Sequence, residues 1–280
     1  MIRLVLADMD GTLVPVGAED SGVSERTIRA VAAMREAGVA FGPATGRISG
    51  DVVRFFRNDP SVLYDGILAS GRIVYAGGRM VRRQSIDRGV LRRVSATAAK
   101  ASAVVSWCVD PYLEGRTGKV SWGVVVPPAL EGMSEAFSRA LGGAKVVSEV
   151  PEGDEFFVAG LAFDEGEVDP ELVRRTVEDA CPDVSLMHTI PGWFDVNERG
   201  WSKHRGLAPI LEALGITRDE VAFIGDSEND VPLMAEVGHP LCVADGQQVA
   251  KDAAEMVIGA SVEDGPAELM EHLARTGGVL

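Results

Sequence analysis

Residues 2–13 read Ile-Arg-Leu-Val-Leu-Ala-Asp-Met-Asp-Gly-Thr-Leu, and the fold turns on that stretch. Residues 2–7 are a short apolar run bounded by a carboxylate, the pattern of a buried strand. Its carboxyl end carries Asp8 and Asp10, then Gly11. Two later stretches repeat the pattern. Val39-Ala40-Phe41-Gly42 leads into Ala44-Thr45-Gly46-Arg47, and Val221-Ala222-Phe223-Ile224 leads into Gly225-Asp226-Ser227-Glu228-Asn229-Asp230. Between the first two, residues 24–37 predict a helix. Ser24 is its N-cap, Val23 staples to Ile28, Val31 and Met34 continue the apolar face, and Gly38 ends it. A helix near 50–57 and a strand at 66–69 extend a β-α-β-α-β run. That alternation predicts an α/β fold with a Rossmann-like parallel sheet.

The rhythm changes in the middle of the chain. Helices are expected at 87–101, 129–141 and 170–181, with strands near 103–108, 119–126, 145–149, 156–163 and 184–189. Asp169-Pro170 is a good helix start, an N-cap followed by proline at the first helical position. Paired strands between helices predict an antiparallel sheet with helices on one side, a separate α+β unit. The α/β pattern returns after about 193, with a helix at 202–214. The expected organisation is therefore a core at 1–82 and 190–280, interrupted by an inserted α+β domain at 83–189.

The chain has 280 residues, 46% hydrophobic and 25% charged, an ordinary globular composition with length for a large core. Its formal charge is −15. That balance argues against nucleic acid or an anionic membrane as partner, since both select basic patches. An anionic substrate would need a local positive field. Lysine is rare, at positions 100, 119, 145, 203 and 251 only, and Lys203 sits where the insertion rejoins the core, although a single exposed lysine is ordinarily just a solvated charge. Three scattered cysteines, Cys108, Cys181 and Cys242, fit a reducing compartment and have no zinc or redox spacing. The leading apolar run is too short for a signal peptide, and no stretch has the roughly 18 apolar residues of a membrane span. These features lead to the expectation of a cytoplasmic protein, monomeric or homodimeric, acting on a small molecule.

In an open parallel sheet, ligands bind at the carboxyl ends of strands. Asp8 and Asp10 sit at such an end. Two carboxylates so close either raise one pKa or recruit a cation, and either outcome serves nucleophilic or acid–base chemistry. A plain Asp-Gly turn accounts for the same letters. Thr45 and Gly46 provide a hydroxyl and backbone N–H groups at a helix start, suited to an anion or simply to a turn. Asp226, Asn229 and Asp230 provide hard oxygens suited to Mg²⁺, or to capping a helix. Arg47 is placed to reach a substrate anion or to stabilise its own helix start.

Taken together, D-M-D-G-T at 8–12, A-T-G-R at 44–47, Lys203 in G-W-S-K and G-D-S-E-N-D at 225–230 resemble the four ordered motifs of the haloacid dehalogenase-like phosphatases. The insertion resembles the cap of the Cof-type subgroup, which includes sugar-phosphate and phosphoglycolate phosphatases, with phosphomannomutase as a relative. The resemblance implies Asp8 as nucleophile and Asp10 as general acid and then base. It implies Mg²⁺ held by Asp8, the backbone carbonyl of Asp10 and Asp226, with Asn229 and Asp230 in support. Thr45, Gly46, Lys203 and Arg47 would hold the phosphoryl group, and the cap would choose the substrate, with Arg116 and His188 as candidates. The expected activity is Mg²⁺-dependent hydrolysis of a small-metabolite phosphate through an aspartyl-phosphate. A phosphomutase and a phospho-aspartate binding module are the alternatives. Ser70-Gly71 departs from the Asn-Gly of relatives, and Ala244-Asp245-Gly246 from a usual asparagine.

Overall fold

The computed structural model describes residues 1–18, 21–115, 120–153 and 155–280. These residues form two compact units, Met1–Arg83 with Ser202–Leu280, and the inserted Gln84–Trp201.

The first unit begins with β1 (Leu4–Ala7), buried at every residue. Helix α1 (Glu25–Glu36) follows. The Ser24 side chain accepts a hydrogen bond from the Thr27 amide, and Ala30, Val31 and Met34 are buried on one face. Strand β2 (Ala40–Pro43) leads to the short helix α2 (Ser49–Phe55). Strands β3 (Gly66–Leu68), β4 (Ile73–Ala76) and β5 (Arg79–Arg83) then form their own antiparallel sheet. The strand expected at 66–69 therefore does not extend the parallel sheet; it touches it through one parallel bridge, Ala44 with Ile67. Tight hairpins favour this antiparallel arrangement, because Gly77 and Gly78 supply the positive φ that the β4–β5 turn needs.

The inserted unit contains α3 (Arg88–Ala98), β6 (Val104–Val109), β7 (Ser121–Val125), α4 (Ser134–Ala140), β8 (Lys145–Val147), β9 (Ala159–Ala162), α5 (Pro170–Ala180), β10 (Val184–Ile190) and β11 (Trp193–Glu198). The strand order is β10-β11-β9-β6-β7-β8. All neighbours are antiparallel except β7 and β8, which are parallel. Helices α3 and α5 pack their valines on Val105, Trp107, Leu161 and Phe194. Helix α4 instead sets Phe137 against Val104, Val124 and Ala162, the alternate residues of the same strands. The expectation of helices on one side only is thus corrected for α4. The unit ends at Trp201, not at 189, because β11 pairs with both β10 and β9.

The chain returns to the first unit through α6 (Leu207–Leu214), β12 (Val221–Gly225), α7 (Val231–Met234), β13 (His239–Val243), α8 (Gln248–Ala253), β14 (Met256–Ile258) and α9 (Gly265–Thr276). The parallel sheet has the order β14-β13-β12-β1-β2. Ala7 lies level with Pro43 on one side and Ile224 on the other. That register brings Asp8, Ala44 and Gly225 to the same carboxyl edge of the sheet. Among the described residues, no helix is long and apolar enough to cross a membrane.

Candidate active site

Asp8 leaves β1 buried, its amide donating to the Ile224 carbonyl of β12 at 2.8 Å. Its Oδ1 accepts from the Met9 amide at 2.7 Å and pairs with Lys203 Nζ at 2.8 Å. Among the described residues, the recorded contacts of this carboxylate fall on Oδ1. The same ammonium donates to Asp230 Oδ1 at 2.7 Å, so Lys203 is a buried bridge between two carboxylates. Asp230 Oδ2 in turn accepts from the amides of Asp226 and Ser227 at 3.0 and 3.2 Å. Asp230 thus folds the loop after β12 back over itself and holds Lys203 at the sheet edge. The extreme closeness needs glycine at 225, where a Cβ would stand 2.6 Å from Asp230 Cγ.

Asp226 is half-buried, and its Oδ1 accepts from Thr12 Oγ1 at 3.1 Å. Gly11, at φ +80°, brings the turn after β1 against it; a Cβ there would stand 2.5 Å from Asp226 Oδ2. Asp10 points elsewhere. It is exposed and makes a two-pronged ion pair with Arg47, whose Nε and Nη2 donate at 2.7 and 2.6 Å. The Arg47 guanidinium also lies over the Phe55 ring, 4.4 Å from its centroid. Thr45 is buried, with its Oγ1 accepting from the Arg47 amide at 3.1 Å, while Gly46 is exposed at the tip of that turn.

Electrostatics follow from crowding charges at a dry edge. Burial raises the Asp8 carboxyl to about 8, against the pull of Lys203, with Asp230 and Asp226 adding to the rise. Burial likewise raises Asp226 to about 6, helped by Asp230 and opposed by the Thr12 hydrogen bond. For Lys203, burial disfavours the ammonium, yet Asp230 and Asp8 outweigh it and hold the group well above the ordinary lysine range. Three carboxylates against one ammonium leave a surplus of two negative charges when all are ionised. A divalent cation would balance that surplus.

The donor set fits such an ion. Asp8, Asp226 and Asp230 each present an oxygen, all within 4.8 Å of one another, and no sulfur or imidazole belongs to the group. The Asn229 Oδ1 nearby in sequence is buried with no hydrogen-bond partner among the described residues. Asp10 could contribute only its backbone carbonyl, since Arg47 occupies its carboxylate.

Two sequence candidates belong to the inserted segment. His188 is on β10 of the inserted unit, its ring tilted against Phe194 and its Nε2 3.6 Å from Glu165. Arg116 lies outside the described residues. Gly11 has the positive φ expected of the Asp-Gly turn, whereas the Thr12 contact and the Lys203–Asp230 pair go beyond what the sequence predicts. Thr12 was visible as a hydroxyl directly after the D-x-D-G turn; the Lys203–Asp230 bond joins residues 27 apart and left no local signal.

The sequence profile of haloacid dehalogenase-like hydrolases matches residues 5–270. The chain belongs to this family. Within it, a phosphoglycolate phosphatase of Halorubrum lacusprofundi is 39% identical over 108 residues, which are 38% of this chain and 47% of that protein. This hydrolase spans about half the length of the curated relatives it matches at such identities. Phosphatase YwpJ of Bacillus subtilis is 22% identical over 97% of this chain and 100% of its own. Among solved structures, BT1666 of Bacteroides thetaiotaomicron, a phosphatase of the haloalkanoate enzyme superfamily, has the same fold. It superposes with a TM-score of 0.75 at 24% identity, covering 97% of this chain and 95% of that one.

Proposed function

We propose that this hydrolase is a Mg²⁺-dependent phosphomonoesterase for a small-metabolite phosphate, either a sugar phosphate or a phosphoglycolate-like acid. The observation that carries the reading is Lys203, buried between Asp8 and Asp230 with Asp226 alongside. This is one buried ammonium among three carboxylates, a metal-ready cluster in a chain of net charge −15. Phosphoryl transfer depends on positioning and charge neutralisation, which such a cluster supplies. The phosphoglycolate phosphatase name of a relative supports the substrate class.

In this mechanism Oδ2 of Asp8, the oxygen without a recorded partner, attacks phosphorus. The Asp8–phosphorus bond forms as the bond from phosphorus to the ester oxygen breaks. Once its fork with Arg47 opens, Asp10 in its protonated form gives that proton to the departing oxygen, which leaves as an alcohol. Asp10 then takes a proton from water, whose oxygen attacks the aspartyl-phosphate and releases inorganic phosphate and free Asp8. Thr45, Gly46 and Lys203 hold the phosphoryl oxygens. Arg47 holds Asp10 in reach of the leaving oxygen, and contacts the substrate anion itself when that fork opens. Asp8, Asp226 and the Asp10 carbonyl would hold Mg²⁺, which would supply charge neutralisation there. Asp230 and Asn229 support that loop. Substrate choice belongs to the inserted unit.

The test is phosphate release from p-nitrophenyl phosphate and a panel of metabolite phosphates, with Mg²⁺ or with a chelator. Metal-dependent release of free phosphate is expected. An isomerised phosphate ester without release would make the protein a mutase, and phosphorylation of Asp8 without turnover would make it a binding module.

A further inference from the structure

Three successive residues after β3 adopt left-handed backbone: Ala69 at φ +49°, Ser70 at +53° and Gly71 at +91°. Two of them carry a Cβ, so this conformation costs free energy and persists only where its surroundings enforce it. Ala69 and Gly71 are buried. The turn donates to the anion loop, from the Ala69 amide to the Arg47 carbonyl at 2.8 Å and from the Ser70 amide to the Thr45 carbonyl at 3.0 Å. Its other side meets the turn that carries Lys203. A Cβ on Gly71 would stand 3.0 Å from the Gly206 amide nitrogen, 3.1 Å from the Ser202 carbonyl oxygen and 3.3 Å from that of Lys203. The Lys203 turn is confined from a second direction by β3, since a Cβ on Gly206 would stand 2.4 Å from Ile67 Cγ2.

We infer that the Ala69–Ser70–Gly71 turn is the positioning element of the phosphoryl site. One left-handed turn sets the Thr45–Arg47 loop and the Lys203 turn relative to each other, and Gly71 is the residue through which it does so. The hydrogen bonds hold the first, and bare backbone contact sets the second, so the two groups that would grip one phosphoryl unit share a single brace. These hydrogen bonds and close approaches are all made by the backbone of the turn. This inference rests on the function proposed above and adds to it a residue that touches neither substrate nor metal.

A test must separate positioning from general strain, and Gly38 provides the control. It has nearly the same backbone angle, φ +86°, with nothing within 4 Å of an added Cβ. Gly71→Ala and Gly38→Ala are compared in the full chain by thermal unfolding, by kcat/KM on p-nitrophenyl phosphate and by the inhibition constant of inorganic phosphate. Gly38→Ala is expected to lower Tm while changing kcat/KM by less than about twofold. Gly71→Ala is expected to lower kcat/KM at least about tenfold and to weaken phosphate inhibition in parallel. If Gly71→Ala does not fold, Ser70→Val reads the same displacement without adding a Cβ at Gly71, and the same selective loss is expected. Equal behaviour of Gly71→Ala (or of Ser70→Val in its place) and Gly38→Ala overturns the inference. A wild-type protein that neither turns over p-nitrophenyl phosphate nor binds phosphate overturns the proposed function, and this inference with it.

Discussion

Replacing Lys203 by Met tests whether the buried charge bridge is a real energetic unit. The ammonium lies 2.8 Å from Asp8 and 2.7 Å from Asp230, with about 5% of its side chain exposed. Removing one partner of a buried pair leaves uncompensated charge, a loss of about 3–5 kcal/mol. For a unit of about 160 residues, that loss corresponds to a fall in Tm on the order of 10 °C. The penalty must depend on pH. Asp8 is raised to about 8, so its contribution to stability is complete below its ordinary value near 3.8 and disappears as pH climbs through 8. At pH 5 the Asp8 carboxyl is neutral, so the loss of Lys203 takes a charged partner from Asp230 alone. At pH 9 the wild type pairs two charges, while Lys203→Met must bury a lone carboxylate or protonate it. Lys203 is raised above its ordinary pKa, so it remains charged at both. The deficit is therefore smaller at pH 5, where Asp230 alone loses its partner, than at pH 9, where Asp8 loses it too. The assay is far-UV circular dichroism during heating, in a chelator, at both pH values. Tryptophan fluorescence separates the units, because all four tryptophans lie in the inserted one. Lys203→Met/Asp230→Asn removes one charge of each sign and should recover at least about half of the lost stability at pH 9. A deficit below about 1 kcal/mol at pH 9, or one equal at both pH values, would refute the reasoning.

Asp10→Asn should slow turnover more for an alkyl phosphate than for p-nitrophenyl phosphate, because the better leaving group needs its proton less; equal losses would remove Asp10 from that role. Asp226 and Asp8 must shed protons to hold a cation, so Mg²⁺ affinity by calorimetry should rise as pH climbs from about 6 to about 8, with proton release. An affinity flat across that range contradicts the ligand set. Gly11→Ala pushes a methyl group toward Asp226 Oδ2, where a Cβ would stand 2.5 Å away, and should weaken Mg²⁺ binding on the order of tenfold. Unchanged binding would show that the turn after β1 does not shape the ion site.

The parallel sheet and its site edge were readable because each strand ended in its own chemistry. Leu4–Ala7, Ala40–Pro43 and Val221–Gly225 are short apolar strands, each closing on Asp, Thr or Asp-rich turns. Strand-end placement follows from parallel topology alone. The β11 strand was missed because Trp193–Glu198 carries Asp195, Asn197 and Glu198, too polar to read as an apolar run, and only its pairing with β9 and β10 reveals it. Helix α4 on the opposite face was likewise hidden, since sequence periodicity gives a buried side and not which sheet face receives it. Within the site, Asp230 read as support for the acidic turn; its bond to Lys203 crosses chain segments and has no local pattern. The left-handed Ala69–Ser70–Gly71 turn was visible only as a departure from asparagine, because a serine at positive φ is enforced by packing and not by its own propensity.

The central claim is that Asp8 carries the phosphoryl group, and the most direct measurement is rapid acid quench of the turning-over enzyme followed by peptide mass spectrometry. A phosphoryl adduct on the peptide containing Asp8, lost on treatment with hydroxylamine and absent from Asp8→Asn, is the predicted result. Full turnover by Asp8→Asn, or a phosphoryl group found on another residue, would contradict the account.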